Sequence, residues 1–119
     1  MANEATVTTS LQFAKGSVNL TLSDAASTFD VTGTRYVRGV QDVGTVEEAL
    51  DMGDLTDPGW CYMRNLDTSN FVLVYAANGE TNFMKLKAGE HACFRLVATA
   101  PSVKADTANV DLEYMIVQD

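Results

Sequence analysis

Val110-Asp111-Leu112-Glu113-Tyr114-Met115-Ile116 decides the fold class. Val110, Leu112, Tyr114 and Ile116 alternate with Asp111, Glu113 and Met115, and a period of two places the first set on one face of a strand. Working back from there, the same signal recurs at short intervals. Ala92, Phe94 and Leu96 share a face after a turn at Lys87-Ala88-Gly89-Glu90. Phe83, with Lys85 and Lys87 beyond it, returns from Asn78-Gly79, a hairpin turn because both residues tolerate positive φ. Phe71 to Tyr75 is a near-continuous apolar run, as in a strand buried on both faces or held against a partner. Trp60 to Met63 reads as a strand after Asp57-Pro58-Gly59, where Pro presets φ and Gly accepts φ > 0. Asn65 to Asn70 is the loop that follows.

Earlier in the chain, Tyr36 to Val43 is a β-rich run that ends at Gly44. Val18, Leu20 and Leu22 alternate with Asn19, Thr21 and Ser23, which puts three aliphatics on one face. Thr6 to Phe13 is rich in β-branched residues and ends at Lys15-Gly16. Ser23 to Ser27 and Pro101 to Asn109 read as loops. Thr45 to Gly53 is open to two readings. Thr45 with Glu48 is a capping-box pattern, and Val46, Ala49 and Leu50 would form a helical stripe. Leu50 and Met52 also alternate about Asp51, and two turns of helix are marginal alone, so we read a strand after a tight turn.

The expected fold is all-β: an antiparallel, jelly-roll-like β-sandwich of about eight strands, because many short strands divided by turn residues pack as two sheets. A chain of 119 residues suits one domain over residues 1–119. Residues 1–12 contain no Gly or Pro to force a turn, and Thr6-Val7-Thr8-Thr9 carries no charge. They serve either as an N-terminal arm that adds a strand to a neighbour or as an ordinary first strand.

Composition excludes several classes of function. The net charge is −8, with eight Lys and Arg against sixteen Asp and Glu, and a phosphate backbone is bound chiefly by neutralising it. No nucleic-acid partner is expected. A basic protein surface would suit the charge better. No apolar run approaches the ~18 residues of a membrane span, so no membrane partner is expected either. Met1-Ala2-Asn3-Glu4 lacks the basic and apolar regions of a secretory signal, which points to synthesis in a cytoplasm.

Residue by residue, no reaction is selected. Glu47, Glu48, Asp51, Asp54 and Asp57 are the densest acids, but they lack the spacing of a calcium loop and alternate across a strand. They read as a solvated edge that discourages wrong pairing. Cys61 and Cys93 read as reduced thiols, and with His91 as the sole histidine there are too few soft ligands for zinc. His91 and Cys93 share a strand face, so a Cys–His nucleophile is formally available, yet His91 sits beside a polar turn. Trp60, Tyr62 and Tyr75 offer rings for stacking on a sugar, or anchors for a core or interface. The expectation is no enzyme, no catalytic residue, no metal and no cofactor.

One stretch carries a likeness. Val43-Gly44-Thr45, Glu48-Ala49-Leu50-Asp51-Met52-Gly53-Asp54, Pro58-Gly59-Trp60, Asn65-Leu66-Asp67 and Asn70-Phe71-Val72 resemble small structural proteins of tailed bacteriophages, with Lys85 to Glu90 similar to their return turn. The resemblance implies a β-sandwich virion component present in many copies, on the head or in the tail. A capsid decoration (cement) subunit is the leading expectation, with a tail or baseplate part, or a carbohydrate- or host-surface-binding module, as alternatives. Its partners would then be the major capsid protein or other virion proteins and further copies of itself, and its location the virion, assembled in the host cytoplasm.

Overall fold

The computed structural model describes residues 3–97 and 99–119. They form ten β-strands: β1 (Ala5–Lys15), β2 (Val18–Phe29), β3 (Tyr36–Val43), β4 (Glu48–Ala49), β5 (Pro58–Asn65), β6 (Val72–Tyr75), β7 (Asn82–Leu86), β8 (His91–Arg95), β9 (Ser102–Ala105) and β10 (Val110–Gln118). All pairings are antiparallel. The chain divides into two compact units, Met1–Thr32 and Gly33–Asp119.

Strands β1 and β2 of the first unit form a long hairpin. Lys15 pairs with Val18 across Gly16-Ser17, and Gly16 takes a φ of 59°, as a tight two-residue turn requires. Ser23 to Ser27, expected as a loop, lies inside β2. The register explains the difference. Thr9 faces Asp24 and Val7 faces Ser27, so β2 spends three steps where β1 spends two. The additional residue is absorbed as a bulge, which changes the face that β2 presents without ending the strand. Residues 5–12, open to reading as an arm or as a first strand, accordingly belong to β1, paired to β2.

Gly33–Asp119 is an antiparallel sandwich. One sheet has the order β3-β10-β5-β8 and the other β4-β9-β6-β7. The eight strands pair as a nested set, β6 with β7, β5 with β8, β4 with β9 and β3 with β10, two pairs in each sheet. Val110, Leu112, Tyr114 and Ile116 point inward from one sheet, as the alternation requires, and meet Val72, Val74 and Val103 from the other. Met63, Leu112, Val72 and Val103 are fully buried.

Local differences have local causes. The longer loop expected over Pro101 to Asn109 contains β9, an inner strand of its sheet; Ser102, Val103 and Ala105 are buried, but four residues with Lys104 among them give little alternation to read. The ambiguous Thr45–Gly53 segment holds only the two-residue β4, paired to Val103 and Ser102. Pro58 opens β5 and the turn falls on Asp57, at a φ of 52°. A strand's first position is one Pro tolerates.

Candidate functional site

The acids do not converge. Glu48 accepts from Gln41 Nε2 at 2.8 Å and from the Gly44 amide at 3.1 Å. Glu47 accepts from the Gly79 amide at 2.9 Å, Asp51 from the Gly53 amide at 2.9 Å, and Asp54 lies 4.0 Å from the Arg35 guanidinium. Asp51 thus closes its own turn, and Glu47 and Glu48 tie turns to neighbouring segments. Among the described residues, no group of three or more His, Cys, Asp or Glu side chains is placed to hold a metal ion.

Cys61 and Cys93 sit on paired strands, but Cys93 faces Tyr62 and Cys61 faces Phe94. They therefore project from opposite faces of the sheet, and both are free. Burial, with Cys93 nearby, pushes the Cys61 thiol up to about 12, so it stays protonated as a small hydrophobe. Desolvation also raises Cys93. His91 stacks on the Tyr62 ring at 6.1 Å between centroids. A raised thiol beside a ring-stacked imidazole is a poor start for a nucleophile, which needs a lowered pKa.

The three aromatic candidates separate. Tyr75 is buried in the sheet that contains β6, whereas Trp60 and Tyr62 lie on the outward face of β5. That face also carries Arg64, Arg38 and Arg95, the last ion-paired with Asp119, and exposed Tyr36, Val40 and Met115. Edge strands β7 and β8 flank a groove of about 430 Å³, where Phe83 meets Phe94 edge to face at 6.4 Å.

The hairpin carries the most one-sided surface. Leu11 pairs with Leu22 and Phe13 with Leu20, and residues directly opposite one another share a face. Ala5, Val7 and Phe29 join them below the bulge, and Val18 above. The other face shows Ser10, Gln12, Asn19 and Thr21. Leu22 is 81% exposed and Leu11 74%. The sequence reading found the Val18-Leu20-Leu22 stripe and missed its partner stripe. Leu11 and Phe13 flanking a Gly-Ser turn at the matching distance was the available signal.

No family model, no curated protein and no solved structure matches the chain.

Proposed function

We propose that the protein is a non-catalytic structural subunit of a bacteriophage virion, a capsid decoration (cement) protein in its leading form and a tail or baseplate part in its alternative form. The observation that carries the reading is the amphipathic hairpin, which offers an apolar face where a monomeric protein would hide one. Two features support it. The nested strand order β3-β10-β5-β8 over β4-β9-β6-β7 supports a jelly-roll reading of the sandwich, an architecture used in viral shells. The charge of −8 suits docking on a basic surface of a larger assembly. Many copies, each burying a modest patch, would hold a shell by multivalency. Mass spectrometry of purified particles of the source phage should find the chain in many copies. Its absence from them overturns the proposal. Immunogold labelling of those particles separates head from tail.

Trp60 and Tyr62, sharing one outward face, favour one second reading: a carbohydrate- or host-surface-binding module. Glycan-array binding that is lost in Tyr62→Ala would support it.

A further inference from the structure

We infer that the apolar face of the hairpin binds a second copy of this chain, face to face about a two-fold axis, with Lys15 of each copy beside Asp24 of the other. The inference rests on the hairpin being an association surface, as proposed above, and not on the virion itself. A two-stranded ribbon is marginal in water without a further layer on its apolar face. Its pattern says what that layer is.

Lys15 and Asp24 are the only charges between Ala5 and Phe29, so this stretch is neutral in a chain of charge −8. Two copies can meet here without bringing their acids together. Both charged residues lie on the apolar face, because Lys15 pairs with Val18 and Asp24 with Thr9. Between them stand two apolar pairs, Phe13 with Leu20 and Leu11 with Leu22. A two-fold axis running across the strands between those pairs stacks Leu11 of each copy on Phe13 of the other, and Leu20 on Leu22. It also brings each Lys15 level with the other copy's Asp24, one strand over. The face is self-complementary, as an isologous dimer demands. An anionic membrane would repel an acidic chain with one Lys on this face.

The contact is modest. Eleven residues of β1 run roughly 36 Å at about 3.3 Å each, over a ribbon about 10 Å wide. Two such faces bury on the order of 800 Å², in the range of weak and transient contacts, so the dimer should form only at raised concentration.

Sedimentation equilibrium of the full chain, from about 1 to 200 µM, tests this. The wild type should dimerise. Leu22→Asp should leave a monomer, while Thr21→Asp on the polar face should not. Lys15→Glu and Asp24→Lys should each weaken the dimer about tenfold or more, and the double swap should restore it. A chain monomeric throughout, a trimer, equal losses from Leu22→Asp and Thr21→Asp, or a swap that fails to restore pairing overturns the inference. A monomer still found in particles leaves the virion role standing without the dimer. A dimer absent from particles does the reverse.

Discussion

The hairpin and the sandwich are built from the same kind of strand, yet only one of them has an inside. Among the described residues before Gly33 none is buried, whereas the sandwich encloses one cluster of apolar side chains. Both satisfy their backbone by antiparallel pairing. Net stabilisation from such hydrogen bonds is small, because water satisfies the same groups in the unfolded chain. Burial makes the difference, at about 25 cal/mol per Å² of apolar area. A second layer turns alternation into stability, and the hairpin lacks that layer within its own unit.

Paired truncations sharpen this contrast most. Leu112 is fully buried between the sheets, and Leu112→Ala should cost about 3 kcal/mol, seen as a fall in melting temperature of roughly 15 °C. Leu22→Ala removes the same atoms from an exposed site, and below the dimerisation range it should shift the main transition by less than about 0.5 kcal/mol. Equal effects would mean that the two stripes share one core.

Asn65 is next in size. Fully buried, it donates through Nδ2 to the Asn70 carbonyl at 2.9 Å and the Leu86 carbonyl at 3.0 Å, and accepts from the Asp67 amide at 2.8 Å. One amide thus ties β5 to the end of β7 in the other sheet. Asn65→Ala leaves buried partners unsatisfied and should cost about 2–3 kcal/mol by urea denaturation. Tyr114 makes a single bond of this kind, to the Asp51 carbonyl at 2.6 Å. Tyr114→Phe should cost about 1 kcal/mol.

A smaller effect concerns pH. Hydrogen bonds from the Asn70 and Ser69 amides, at 2.6 and 3.0 Å, hold the Asp67 carboxyl below its usual range. A depressed folded pKa contributes stability above the unfolded value near 4, and that stability is lost as pH falls through the folded value. Melting temperature should therefore drop on acidification below pH 4, and less steeply in Asp67→Asn. An unchanged slope would remove Asp67 from the account.

Alternation made most of the sandwich legible, because β10 and β5 bury alternate residues along much of their length. It failed at β9, where four residues are too few for a period to appear, and at β4, where two residues pair only because β9 lies alongside. Ser23 to Ser27 misled for a different reason. Small polar residues mark turns, but they also fit a bulge, and only the register with β1 tells the two apart. For the candidate surface, the sequence held each stripe of the hairpin. Their shared face is a matter of pairing, which no single strand records.

The least effect should come from the largest change, removal of residues 1–32. Every side chain of the sandwich core and its packed fringe falls between Val37 and Ile116. Strand β3, next to the cut, is held by eight register pairs to β10, and Gln118 donates its amide to the Arg35 carbonyl at 2.9 Å. None of these interactions uses an atom ahead of Gly33. The shortened chain should fold, keep its β-sheet circular dichroism, and melt within about 2 °C of the parent measured as a monomer, since removing surface groups away from a core moves stability by a few tenths of a kcal/mol. It should also lose concentration-dependent association, because the face that self-pairs has gone. Folding without association places stability in one unit and assembly in the other. A truncated chain that unfolds would show instead that the hairpin is part of the sandwich's own cooperative structure, and the division at Gly33 would carry no energetic meaning.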